Sequence, residues 1–324
     1  MITTQLVTLE DIHDAARVIA PVAVRTPLLP AGAVTEKAGA PAWIKPEMLQ
    51  RGGAFKFRGA YNFLSRLDPD ARARGVIAPS SGNHAQAVAL AAKLYGVPAT
   101  VVMPVTVTPA KRAGAERLGA RVVLAGRTTQ DRLERAEELV AQEGLTLVPP
   151  YDHPWILAGQ GTAAMELIED TKVDGTPSLD ALVVCIGGGG LMSGSSISAK
   201  AMNPAIRCIG VEPADANDTF LSLAAGKRVT IDPPKTIADG LRAQIPGELT
   251  FPILQKNLES VILVSEDEIR ETFRFLLTRM KILVEPSGCV SAAAVLFKKL
   301  PPGIKRAGVI LSGGNVDYEM LASL

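Results

Sequence analysis

The sequence predicts an α/β fold of two parallel-sheet domains, the smaller inserted in the larger. Three observations predict it. Strand-like apolar runs alternate with helix patterns between residues 75 and 147. A second alternating series runs from residue 160 to 311. Turns rich in glycine and serine follow apolar runs in both series: Ser80-Ser81-Gly82-Asn83-His84, Gly187-Gly188-Gly189-Gly190-Leu191 and Ser312-Gly313-Gly314-Asn315. An α/β sheet uses such turns to hold a phosphorylated ligand beyond the carboxyl ends of its strands.

The elements follow in order. Residues 9–20 read as a helix capped by Thr8, with Ile12, Ala15, Ala16 and Ile19 on one face. A short strand, Ala42 to Pro46, leads into a glycine-flanked loop and a helix over 58–66. The small unit reads as strands at 76–79, 99–103, 121–124 and 145–148, with helices at 83–95, 109–118 and 130–142 between them. Gly96 and Gly119 end two of those helices, and Thr108-Pro109 starts one. The second series reads as helix 161–170, strand 181–186, helix 191–202, strand 208–211, helix 269–280 and strand 309–311. Ser265 and Glu268 form a capping box ahead of that last helix. The large domain is then 1–68 with 150–324, and the small one 75–147. Two passes of chain between them make a hinge that can close over a substrate.

Bulk properties bound the function. The 324 residues suit about two domains at roughly 100–200 residues each. Aromatics are 4% and the formal charge is +1, which leaves no stacking platform and no basic field for nucleic acid or anionic lipid. Cys185, Cys208 and Cys289 sit in apolar runs and read as buried free thiols of a cytosolic protein. No signal peptide and no membrane span is evident.

The chemistry concentrates in five places. Lys56 stands between two aromatic residues in Gly52-Gly53-Ala54-Phe55-Lys56-Phe57-Arg58-Gly59-Ala60. Apolar surroundings disfavour its ammonium form, which suits an amine that forms an imine with the aldehyde of pyridoxal phosphate (PLP). The plain alternative is a lysine on the first turn of an ordinary helix. The glycine run offers backbone N–H groups to a phosphate at a helix N-terminus. It also reads as a tight turn, or, with Gly194 and Glu212, as a variant dinucleotide fingerprint, although Ser193 stands where the strict pattern needs glycine. Ser80 to His84 opens a helix and suits a carboxylate, or is simple capping by Ser81. The Ser312 hydroxyl can meet a pyridine nitrogen without forcing a charge onto it, which favours elimination over transamination. Glu212 and Asp218 read on their own as a solvated acidic loop, with a divalent cation as the alternative.

Taken together these segments resemble the fold-type-II PLP enzymes, tryptophan synthase β-like in fold, and within them the serine racemase and serine/threonine dehydratase family. The resemblance spans nearly the whole chain. It rests also on Ala158-Gly159-Gln160-Gly161-Thr162, Lys235-Thr236-Ile237-Ala238-Asp239-Gly240-Leu241, Glu285-Pro286-Ser287 and Val316-Asp317. It implies a cofactor in the cleft between the domains. Lys56 would form the imine and act as base, Phe55 would pack on the ring, and Asn83 would bond the ring oxygen. Gly187, Gly188, Gly189, Gly190 and Leu191 would hold the phosphate. Gly240 and Glu285 would line the ring, and Ser312 would meet its nitrogen. Ser80, Ser81, Asn83 and His84 would hold the substrate carboxylate. Glu212, the Ala216 carbonyl and Asp218 match a site for Mg2+ (or Ca2+ or Mn2+). Asn217 departs from the acidic residue some relatives carry there. Ser81 matches the second acid/base of the racemases, where many strict threonine dehydratases carry alanine. The implied function is serine/threonine dehydration to a 2-oxo acid and ammonia, with serine racemisation, in a cytoplasmic homodimer without nucleic-acid or membrane partners. A 3-hydroxyaspartate dehydratase of the same family is the alternative. A nicotinamide oxidoreductase and a silent PLP-binding protein are the alternatives of other classes. No separate regulatory domain is expected after Leu324.

Overall fold

The computed structural model describes residues 7–39, 41–176 and 178–323. Met1 to Leu6, which carry most of the segment read for a leader, lie outside them, as does Leu324. Ten strands lie along the chain: β1 (Leu29–Pro30), β2 (Ala42–Pro46), β3 (Val76–Pro79), β4 (Ala99–Met103), β5 (Arg121–Leu124), β6 (Thr146–Leu147), β7 (Ala181–Cys185), β8 (Arg207–Pro213), β9 (Leu258–Val264) and β10 (Ala307–Leu311). They form a six-stranded sheet, β1-β2-β10-β7-β8-β9, and a four-stranded sheet, β5-β4-β3-β6. All pairings are parallel except β1 with β2 at one edge. The chain thus folds as two parallel-sheet α/β domains. The central strands β7 and β10 are buried throughout, as strands covered by helices on both faces must be.

Local chemistry explains most boundaries. Thr8 caps the Leu9–Ile19 helix in a capping box with Asp11. The Asn83–Tyr95 and Thr129–Glu143 helices end on Gly96 and Gly144, at φ of 66° and 68°, where only glycine is unstrained. Thr108 caps, and Pro109 begins, the Pro109–Arg117 helix.

Two expectations need correction. The helix read over 161–170 starts at Pro154, capped by the His153 side chain. Gly159 and Gly161 look like breakers in the sequence, but they are where helices touch. A Cβ on Gly159 would lie 2.6 Å from the Gly59 Cα, and one on Gly161 would lie 2.8 Å from the Gly194 carbonyl oxygen. A helical glycine costs about 1 kcal/mol relative to alanine; here close backbone packing offsets it. The helix read over 269–280 is the Glu266–Phe275 helix followed by a π turn, Leu276–Met280, closed by Lys281 at φ 61°. Strand β9 and the Pro286–Leu296 helix carry no clear period in the sequence. Among the described residues no helix is long and apolar enough to cross a membrane.

The sheet orders place the site. In the small sheet the direction of winding reverses between β3 and β6, and in the large sheet between β7 and β10. Crevices open at the carboxyl ends of strands where the order reverses. The turns after β3, β7 and β10 are the three read from the sequence.

Candidate active site

Lys56 begins the Lys56–Ser65 helix, beyond the carboxyl end of β2. The preceding loop is tied to the end of β10: the Phe55 N–H donates to the Ser312 carbonyl at 3.0 Å, and Ala54 bridges Gly313. Lys56 Nζ donates to the Pro150 carbonyl at 2.6 Å and lies 5.2 Å from the Phe55 ring centroid. Burial lowers its pKa from the ordinary 10.5 to about 8, with Cys185 and Glu285 opposing.

Arg58, the third residue of that helix, has no role that its place in the motif reveals. It is fully buried and forked on two carboxylates. Its Nε and Nη2 donate to Glu47 at 2.7 and 2.8 Å, and its Nη1 and Nη2 to Glu166 at 2.7 and 2.9 Å. Lys45 Nζ, also buried, reaches Glu166 at 2.6 Å. The cluster of two cations and two anions joins β2, the lysine helix and the Pro154–Asp170 helix.

The glycine run leaves β7 and opens the Gly190–Met202 helix. Gly189 sits at φ 91°, a conformation that favours glycine. A side chain on Gly188 would overlap the Tyr151 ring, and a Cβ on Gly190 would lie 2.8 Å from the Tyr151 Cβ. Thr250 Oγ1 donates to the Gly188 carbonyl at 2.9 Å. Asp152 accepts the N–H groups of Glu248, Leu249 and Thr250 at 2.8 to 3.1 Å and so fixes Thr250. Leu191 is buried, and the Gly240 N–H donates to Ser287 Oγ at 2.9 Å. Bare backbone at a helix N-terminus beside a lowered-pKa lysine fits the phosphate and aldehyde of PLP. The dinucleotide reading fails on Glu212, which is buried and accepts the Thr219 and Phe220 N–H groups at 3.1 and 2.9 Å. It cannot serve a ribose.

The turn after β3 carries Ser80 to His84. Ser81 is half-buried, and its hydroxyl has no hydrogen-bond partner among the described residues. Ser80 Oγ accepts the Gly82 N–H at 3.3 Å. His84 is turned inward: its Nε2 lies 2.8 Å from the Val148 carbonyl, which only accepts, so Nε2 carries the proton. Burial, with the Lys56 charge nearby, lowers this ring to about 3, and it stays neutral. Its imidazole therefore holds the 148–152 crossing in place rather than facing a ligand. Asn83 Nδ2 donates to Glu285 Oε1 at 2.7 Å. Burial, reinforced by the Asp239 charge, raises Glu285 to about 8, so at neutral pH it is mostly the acid. Ser312 is buried beside Cys185, whose thiol burial raises to about 11 while the Ser312 hydroxyl opposes the change.

Apart from this cleft, Glu212 and Asp218 are both buried. Burial raises them to about 8 and about 7, and for Glu212 the Asp218 charge adds to the effect. Both Asp218 oxygens lack a hydrogen-bond partner among the described residues. Hard oxygen donors left bare in the interior fit a divalent cation. No third His, Cys, Asp or Glu joins them among the described residues, so backbone carbonyls such as that of Ala216 would have to complete such a site.

Comparison with known proteins shows the family. The family model described as "Pyridoxal-phosphate dependent enzyme" matches residues 19–313. The chain is 47% identical over 320 residues to an L-threo-3-hydroxyaspartate ammonia-lyase of Pseudomonas sp, covering 99% of each. It is 46% identical over 317 residues to a serine racemase of Schizosaccharomyces pombe, covering 98% of this chain and 97% of the relative. The solved structure of the processed form of threonine deaminase isoform 2 from Solanum lycopersicum superposes with a TM-score of 0.90 at 35% identity, covering 97% of this chain and 90% of that one. With a lysine, a glycine cradle and a serine converging where two parallel sheets reverse their winding, and with that match across most of its length, the chain belongs to the family of pyridoxal-phosphate dependent enzymes.

Proposed function

We propose that the chain is a PLP-dependent ammonia-lyase acting on L-serine or L-threonine, with serine racemase activity. The observation that carries this reading is Lys56, a buried amine with a pKa of about 8, close enough to the Ser80–His84 turn for its charge to act on the His84 ring. Bound PLP supplies an aldehyde for the substrate amine and an electron-withdrawing ring that acidifies the Cα–H. Gly187 to Leu191 would hold its phosphate, Asn83 its ring oxygen and Ser312 its nitrogen, with Phe55, Gly240 and Glu285 beside the ring. Lys56 Nζ takes the proton from Cα; in the elimination the β-hydroxyl then leaves as water with that proton, and in the racemisation it stays in place. The Ser81 hydroxyl, uncommitted to any protein group, returns a proton to Cα and yields the D-enantiomer. The backbone N–H groups of the Ser80–His84 turn hold the substrate carboxylate. A serine at the ring nitrogen keeps that nitrogen uncharged, which disfavours transamination.

The assay is direct. The holoenzyme is given L-serine, L-threonine and L-threo-3-hydroxyaspartate, and 2-oxo acid and enantiomer composition are measured with and without Mg2+. Ser81→Ala should lose racemisation by 100-fold or more, in the range of about 10²–10⁴ for one acid/base group, and keep elimination from L-serine. Equal loss of both in a folded protein sinks the two-base assignment. Identity of 47% over nearly all of an L-threo-3-hydroxyaspartate ammonia-lyase supports that substrate as the second reading. The same proposal includes a divalent cation at Glu212, the Ala216 carbonyl and Asp218. It includes residues 75–147 as a unit that closes on residues 1–68 and 150–324. It includes a cytoplasmic homodimer, and light scattering on the purified protein tests the dimer.

A further inference from the structure

Asn83 has a symmetrical outline and an asymmetric chemistry: one side of its amide donates and the other accepts. If it meets the cofactor's ring oxygen, which way round it stands decides whether that oxygen finds a donor or a repelling acceptor. Asn83 cannot settle this alone. Its Nδ2 faces Glu285 Oε1, and a carboxyl group that carries a proton can donate as well as accept.

The deciding contact comes from Asn315. Its Nδ2 donates to the Gly52 carbonyl at 2.7 Å and to Asn83 Oδ1 at 2.8 Å. A backbone carbonyl only accepts, so turning Asn315 over would set oxygen against oxygen. With Asn315 fixed, turning Asn83 over would set two donors against each other. Both amides lie against bare glycine backbone. A side chain on Gly53 would overlap the Asn315 amide. A Cβ on Gly313 would lie 3.0 Å from Asn83 Nδ2 and 2.6 Å from Glu285 Oε1. The chain of bonds therefore starts at an acceptor that cannot change and leaves Asn83 with one uncommitted N–H. Gly52, Glu285 and Asn315 stand with the large sheet and Asn83 with the small one, so this orientation holds only when the domains are together.

We propose that Asn315 is the positioning residue that sets the Asn83 amide, so that Asn83 presents an N–H and not its oxygen to the cofactor's ring oxygen. The proposal rests on the reading above that Asn83 meets that oxygen. A donor there favours the phenolate form, with the proton on the imine nitrogen. Without it the proton moves to the ring oxygen, and absorption moves to the shorter wavelength of the phenol. No oxidation is involved.

The test is the visible spectrum of three purified holoenzymes, with circular dichroism as the check on folding. Asn315→Asp replaces the donor by an acceptor of the same shape. It should lower the ratio of long- to short-wavelength absorption at least about tenfold, in line with a lost hydrogen bond to a charged oxygen. Asn83→Ala should do the same. Asn315→Ala removes the donor without adding charge and carries the test if the aspartate variant does not fold. A change in Asn83→Ala with none in the folded Asn315 variant overturns the role of Asn315 and leaves the reading of Asn83 standing. No change in Asn83→Ala overturns both.

Discussion

Burial of the Lys56 amine has a measurable consequence. A pKa of about 8 leaves about one amine in ten uncharged at pH 7, whereas the ordinary 10.5 leaves about one in 3,000. Lys56 should therefore be about 300-fold richer in its nucleophilic form than a surface lysine. The assay is competitive acetylation of the apoprotein across pH, read by mass spectrometry of the peptide that carries Lys56. Labelling should climb about tenfold per pH unit and flatten near pH 8, while surface lysines climb on towards 10.5. Phe55→Ala exposes Nζ to water and moves the midpoint back up, because desolvation is the leading cause of the shift. Glu285→Gln moves it further down, because the Glu285 charge opposes the shift. The linked stability has a definite sign. The unfolded chain keeps this proton up to about 10.5 and the folded one releases it near 8, so apoprotein stability rises with pH between those values. Labelling that still climbs tenfold per unit beyond pH 9.5 would refute the reasoning.

Other perturbations follow from the packing. Arg58→Met leaves Glu47, Glu166 and Lys45 buried with an uncompensated negative charge, and should cost about 3–5 kcal/mol. Adding Glu47→Gln restores neutrality and should recover part of that loss, a coupling that denaturant titration of the single and double variants measures. Gly159→Ala forces the Lys56–Ser65 and Pro154–Asp170 helices apart and should lower the melting temperature by several degrees, whereas Gly32→Ala, with nothing within 4 Å of the new Cβ, should raise it slightly. A chelator should lower the melting temperature of the native protein and leave Asp218→Asn unchanged, because the cation's anchoring carboxylate is gone.

The parts legible in the sequence were those written within a few residues. Thr8, Thr108-Pro109 and the Ser265–Glu268 box each mark a helix start by local hydrogen bonding, and all three stand where expected. The lysine loop and the glycine run are likewise short and self-contained. The Pro286–Leu296 helix is buried on every side, so it has no polar face to give it a period. Strand β9 lies at a sheet edge, half-exposed along most of its length, and shows no clean alternation. The long-range pairings were out of reach. Arg58 with Glu166 spans 108 residues, Asp152 with Thr250 spans 98, and Asn83 with Asn315 spans 232. No pass along the chain brings such partners together; only the sheet order does.

Residues 148–152 join the two domains, and connectors ordinarily tolerate changes of length. This one does not have that freedom. The Val148 carbonyl receives His84, the Pro150 carbonyl receives Lys56, Tyr151 covers the glycine run and Asp152 holds the turn that anchors it. Four of these five residues act as marks on a ruler laid across the cleft, each matched to a different part. Adding or deleting one residue would put every later mark out of step with its target, so grafting and loop-shuffling designs should leave this span at its native length.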